Sequence, residues 1–220
     1  MVEQLLGWHK RNGRSFSFRS TRNPYRILVS EMLLRQTRAA QVESVYRKFF
    51  RAYPAVHDLA EASPHRLQSL LRPLGMRKRA AVLIAVAKTI VKEFDERVPN
   101  DRTTLLSLPG VGEYTAACVL LFGYGEATSP VDTNVERVLS RLLGLPVQTG
   151  RVFHRAVQKA YTILQGRDTD HRRLHFALID LAHLICKRRN PNCPLCPLST
   201  ECGFAQNVRG LDHKRSEVLD

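Results

Sequence analysis

The chain has 220 residues, enough for one large domain or two small ones around a well-buried core. Lysine and arginine number 34 against 20 acidic residues, a formal charge of +14 that suits a polyanionic partner held through counterion release. No apolar run approaches the ~20 residues of a membrane span and residues 1–20 lack a signal-peptide core, so we expect an intracellular protein of the cytoplasm or nucleoid, without membrane partners.

Residues 2–10 carry Val2, Leu5, Leu6 and Trp8 at amphipathic spacing, and residues 11–22 read as a basic loop anchored by Phe16 and Phe18. Asn23-Pro24 marks a helix start with proline at the first helical position. The run that follows, residues 25–37, sets Glu31 among Ile27, Leu28, Met32, Leu33 and Leu34. A carboxylate there either lies on an exposed face or is buried for a purpose, because burial without a partner is costly.

Residues 39–53, with Val42, Val45, Tyr46, Phe49 and Phe50 at helical spacing, predict a core-facing helix that Pro54 stops. Short helical segments follow at 56–60 and 63–71, then Leu74-Gly75-Met76 breaks the pattern before a long amphipathic helix over 78–94. Met76 stands among Arg72, Arg77, Lys78 and Arg79, where it either wedges into a base stack or packs back on the core.

Asp101 is a candidate N-cap for a helix over 103–108, and Leu108-Pro109-Gly110-Val111-Gly112 then forms a turn into a second helix over 113–121. Pro109 ends the first helix, while Gly110 and Gly112 permit positive φ and bring backbone N–H groups close to a ligand. Such a turn is either plain helix punctuation or a backbone grip for phosphate that reads no base. Asp132 is a candidate N-cap of the helix over 132–143, and helices over 152–164 and 174–185 follow. Period-2 alternation is nearly absent, and the expected fold class is all-α.

Of the five cysteines, Cys118 sits in an apolar stretch and reads as a core residue. Cys186, Cys193, Cys196 and Cys202 are crowded into 17 positions, a spacing compatible with tetrahedral zinc or with a [4Fe-4S] cubane. Lys187, Arg188 and Arg189 would place charge beside that loop.

Taken together, the stretch from Leu108 to Ala116, the segment Val131-Asp132-Thr133-Asn134 with Arg137-Val138, and the four-cysteine spacing resemble the helix-hairpin-helix DNA glycosylases of the endonuclease III superfamily. The likeness runs from Trp8 to Cys202. It implies a six-helix barrel domain over 25–127, with the hairpin motif at about 103–122. It also implies an iron–sulfur domain over 1–24 and 128–204, in which the four cysteines bind a [4Fe-4S] cluster, and a tail over 205–220. The expected partner is double-stranded DNA carrying a mismatched or damaged base, bound by a monomer, with the lesion in a cleft between the domains.

The resemblance also assigns residues. Gly110, Val111 and Gly112 would grip the damaged strand, Gln36 would fill the gap left by the flipped base, and Met76, Arg77 and Lys78 would contact DNA nearby. Asp132 matches the catalytic aspartate, which stabilises the oxocarbenium-like sugar as the base departs and helps water attack C1′. Tyr114 stands where bifunctional members carry a Schiff-base lysine, and a phenol cannot form that imine. A monofunctional glycosylase that leaves an intact abasic site is therefore expected.

Two branches of the family place tyrosine there. The A/G-specific adenine glycosylases share the segment from Val29 to Thr37, which carries Glu31 as the proton donor to adenine, and Gln36 is of their type. The small thymine-DNA mismatch glycosylases share Ser30-Glu31-Met32-Leu33-Leu34-Arg35 and Asn23-Pro24-Tyr25-Arg26. Met76-Arg77, where adenine enzymes have paired tyrosines, and Thr133, where they have glycine, favour thymine or uracil opposite guanine. Only 18 residues follow Cys202, where adenine enzymes carry a further domain, and this favours the same expectation. Adenine opposite guanine or 8-oxoguanine is the alternative, oxidised pyrimidines are another, and a lesion-sensing DNA-binding protein without turnover is the alternative of a different class.

Overall fold

The computed structural model describes residues 1–75, 78–145, 151–166 and 169–207, apart from the side chains of residues 78, 151 and 152. Eleven α-helices are present among these residues, and no strand. They fall into two compact units, residues 15–130 and residues 1–14 with 131–220.

In the unit of residues 15–130, α2 (Pro24–Leu34) is the central helix. The Asn23 side chain caps it by accepting from Arg26 N at 3.1 Å, and Pro24 supplies a preset φ at its first turn. Seven of its eleven residues are buried, as a helix that is apolar around most of its circumference must be. It packs against α3 (Ala39–Ala52), α6 (Lys78–Glu93) and α8 (Glu113–Val119). Tyr46, Phe49, Phe50 and Tyr53, with Tyr25 opposite, form an aromatic cluster of edge-on and tilted pairs with centroids 4.9–5.7 Å apart. Phe18, buried and stacked on Phe16 at 5.0 Å, anchors the basic loop as expected.

The short helices α4 (Val56–Ala60) and α5 (Pro64–Leu71) lie on α6, and α7 (Arg102–Ser107) on α8. Asp101 caps α7 by accepting from Thr104 N at 2.8 Å. Cys118 is fully buried, as its apolar neighbours required. After Val119 the helix widens into a π-helical turn over Leu120–Tyr124, so the expected plain helix over 113–121 is altered at its end.

The all-α expectation holds among the described residues, but the finer architecture does not. The described part of residues 15–130 contains seven α-helices, from five to sixteen residues long, with α3, α6 and α8 on α2, α4 and α5 on α6, and α7 on α8, rather than six helices in a barrel.

In the other unit, α1 (Val2–Asn12) and α9 (Thr133–Leu142) pack on α11 (His171–Leu184), and α10 (Arg151–Gln165) packs on α9. Leu5, Trp8, Val135, Leu139, Val157, Tyr161, Leu174 and Leu178 form its core. Two polar contacts are sealed into it. Tyr161 hydroxyl meets His175 Nδ1 at 2.9 Å. The fully buried Asp180 accepts from Arg14 N at 2.8 Å and Arg14 Nε at 2.7 Å, with His9 Nε2 at 3.2 Å. An anion so placed is stable only while its donors stay in position, so α1 and residue 14 are tied to α11 by charge as well as by apolar packing. Of the expected tail over 205–220, residues 208–220 lie outside the described residues. No helix among the described residues is long and apolar enough to cross a membrane.

Candidate active site

Asp132 is the N-cap of α9, and its carboxylate is fully engaged by its own chain. Oδ1 accepts from Asn134 N at 2.9 Å and Val135 N at 2.8 Å, and Oδ2 accepts from the Asn134 side-chain amide at 2.8 Å. The side chain is half-buried at the positive end of the helix dipole. Asp132 thus caps its helix as expected, and the cap fixes the carboxylate in one orientation.

The support continues inward. Asn134 Oδ1 accepts from Arg137 Nη1 and Nη2, both at 3.2 Å. Arg137 in turn donates to Ala182 O at 3.0 Å and to Cys186 O at 2.9 Å, at the end of α11. Burial pulls its guanidinium below the ordinary arginine range, offset in part by Cys186 and Asp132. Sequence reading missed this relay. Its signal was the i, i+3 spacing of Asn134 and Arg137 on the helix that Asp132 opens.

Glu31 and Tyr114 belong to the other unit. Glu31 lies half-buried in the last turn of α2, and Tyr114 half-buried in the first turn of α8, two helices that pack together. The hairpin turn precedes Tyr114. Gly110 has φ 75°, and a Cβ on it would stand 2.5 Å from Val82 Cγ1, so only glycine fits. Gly112 departs from the expected positive φ: at φ −116° and ψ 177° it is the extended N-cap of α8, exposed and with open space around it. Val111 is buried, its N–H donating to Leu108 O at 3.1 Å. The turn thus leads with an exposed, side-chain-free Gly112 into the first turn of α8.

Gln36 does not lie on a helix. Leu34, Arg35, Gln36 and Thr37 make a tight turn after α2 in which Gln36 is exposed with φ 55°. Met76 and Arg77 lie outside the described residues, and Lys78 starts α6.

The metal expectation is overturned. Among the described residues no group of three or more His, Cys, Asp or Glu side chains is arranged to hold a metal ion. Cys186, Cys193, Cys196 and Cys202 border a mainly apolar cavity of about 20 Å³, the room of a single water rather than of a cluster. Burial pushes the Cys196 thiol up to about 11, and Cys202 Sγ donates to Arg141 O at 3.4 Å, whereas metal ligation needs thiolates. Neither the [4Fe-4S] cluster nor zinc fits, and the iron–sulfur domain and metal-binding assignments fall with them. What holds the loop is Arg141, which donates to Lys187 O at 2.7 Å and Arg188 O at 3.1 Å and lies over the Phe204 ring at 4.7 Å.

Comparison with known proteins bears on the whole of this arrangement. A thymine/uracil-DNA glycosylase of Pyrobaculum aerophilum is 34% identical over 209 residues, 93% of this chain and 91% of its own. An adenine DNA glycosylase of Mycolicibacterium smegmatis is 34% identical over 235 residues, 99% of this chain and 78% of its own. The solved structure of a thermostable thymine-DNA glycosylase superposes with a TM-score of 0.87 at 31% identity, covering 94% of this chain and 95% of that one. Residues 29–161, which hold the C-terminal half of α2 with Glu31, the hairpin turn and the Asp132 cap, match the model of the HhH-GPD superfamily base excision DNA repair proteins, and the chain belongs to that family.

Proposed function

We propose that the protein is a monofunctional DNA glycosylase that hydrolyses the N-glycosidic bond of thymine or uracil mispaired with guanine in double-stranded DNA. The observation that carries this reading is the Asp132 carboxylate, held by three N–H donors and backed by Asn134 and Arg137. A negative group fixed in advance stabilises the positive charge that grows on the sugar as the base leaves, without having to reorganise at that moment. The C1′–N bond breaks with its electron pair going to the base, water adds to C1′, and the proton released neutralises the departing base. Tyr114 offers no amine to trap the sugar, so the product is an intact abasic site.

Glu31 on α2 serves base recognition in this reading, accepting a hydrogen bond from the pyrimidine N3–H. Thymine and uracil leave as anions spread over two carbonyls and need little acid assistance. The Gly110–Gly112 turn and Gln36 hold the strand and fill the vacated stack. Support for the pyrimidine comes from Met76-Arg77 and Thr133 and from the relatives named for thymine and uracil.

A second reading, adenine opposite guanine or 8-oxoguanine, draws on Gln36 and on the relatives named as adenine glycosylases. The two are separated by a panel of duplexes bearing T·G, U·G, A·G, A·8-oxoguanine and thymine glycol, with alkali added after incubation. Breaks at T·G and U·G that appear only after alkali are expected. Breaks at A·8-oxoguanine alone would select the second reading, and none at any duplex would leave a DNA-binding protein without turnover.

A further inference from the structure

The turn that carries Gln36 is strained, and the strain has a visible restraint. Thr37 N donates to Leu34 O at 3.1 Å, and Arg35 at φ −58° and ψ 120° precedes Gln36 at φ 55°, the pattern of a type II turn. The third position of such a turn takes glycine or asparagine by preference, and a longer side chain in the left-handed region is strained. Residues persist in that region when their surroundings over-determine them.

Two arginines supply the surroundings. Arg79, in the first turn of α6, donates through Nη1 to Leu33 O before the turn and to Thr37 Oγ1 after it, the latter at 3.0 Å. Arg35 donates to Gly110 O at 2.9 Å and so ties the apex of the turn to the hairpin. Arg79 gains little from its own helix, because a cation near a helix N-terminus opposes the dipole. Its Nη2 is buried with no hydrogen-bond partner among the described residues, and burial together with Arg35 disfavours its charge. Its favourable contacts are with the C-terminal carbonyl end of α2 and with the turn. A half-buried cation that bridges both feet of a strained, exposed turn, with one nitrogen sealed from water, is a brace.

We infer that Arg79 and Arg35 are positioning residues that hold the Leu34–Thr37 turn rigid, so that Gln36 meets the duplex already in the shape it keeps there. The inference rests on the DNA-contacting role proposed for Gln36. Rigidity matters because the turn must replace an extruded nucleotide without first paying to order itself.

The test is stopped-flow fluorescence of 2-aminopurine placed beside a T·G pair, which reports extrusion, followed by single-turnover excision on the same duplex. Arg79→Met, which keeps bulk but no donor, should slow extrusion and excision about 10-fold, with Arg79→Lys recovering part of the loss. Gln36→Ala should cause a similar loss, and Arg79→Met added to it should cost nothing more, since both act at one place. A full further 10-fold loss in the double variant would show that Arg79 acts elsewhere and overturn the inference. So would normal extrusion by Gln36→Ala, while excision by the wild type would still uphold the proposed function. Should Arg79→Met melt at a much lower temperature, Arg35→Met carries the same test from an exposed position. If the wild type excises no base, the proposed function fails, and the extrusion traces alone decide the role of the brace.

Discussion

The Asn134 side chain donates to Oδ2 of Asp132 at 2.8 Å, so the residue two places along the helix fixes the face that the carboxylate turns outward. Because the two backbone donors both go to Oδ1, this amide alone sets the second oxygen. Asp132→Asn retains a capping side chain but removes the negative charge, and should lower excision by about 10²–10³-fold. Duplex binding by gel shift should be unchanged. Asn134→Ala leaves the charge and frees its orientation, for a loss of about 10-fold in single-turnover rate. Full-speed excision by Asp132→Asn would refute the mechanism.

Tyr114→Lys should add strand cleavage to base removal. A lysine in the first turn of α8 brings an amine with its acidity raised by the helix dipole, so that its neutral form attacks C1′. Borohydride should then trap a covalent protein–DNA adduct with the variant and none with the wild type. Strong trapping by the wild type would count against a monofunctional enzyme.

Gly110→Ala places a methyl group 2.5 Å from Val82 Cγ1 in a backbone at φ 75°. We expect a loss of about 1–2 kcal/mol in stability and, if the turn grips the DNA backbone as proposed, weaker binding to any duplex, mismatched or not. Urea melts and gel shifts measure the two effects. Gly112→Ala, extended and unobstructed, should be tolerated in the melts.

Asp180→Asn leaves Arg14 without its anionic partner in the core of the α1–α9–α11 unit. Breaking such a pair costs about 3 kcal/mol, which for a chain of this length lowers the melting midpoint by roughly 10 °C. Calorimetry of the variant tests this, and a midpoint within a degree or two of the wild type would show the pair to be dispensable.

What could be read in the sequence was what periodicity and capping chemistry carry. The helices after Asn23, Asp101 and Asp132 start where those side chains accept first-turn N–H groups, and Phe18 and Cys118 are buried as their neighbours required. Gln36 was expected on the α2 run, because nothing in its neighbours announces a left-handed turn; the arginine that stabilises it is 43 residues away. Arg137 was quoted only as part of a pattern, since its partners Ala182 and Cys186 are reached through folding. The cysteine spacing misled for a related reason. Four thiols close in sequence can ligate only if the fold turns them, deprotonated, toward one point with room for an ion, and here they border a small apolar space.

Val82 fills the space a side chain at 110 would need, and a smaller residue at 82 would relieve that clash but not the strain that a left-handed backbone places on alanine. Two separate barriers therefore guard one position, and no single replacement elsewhere opens a route around both.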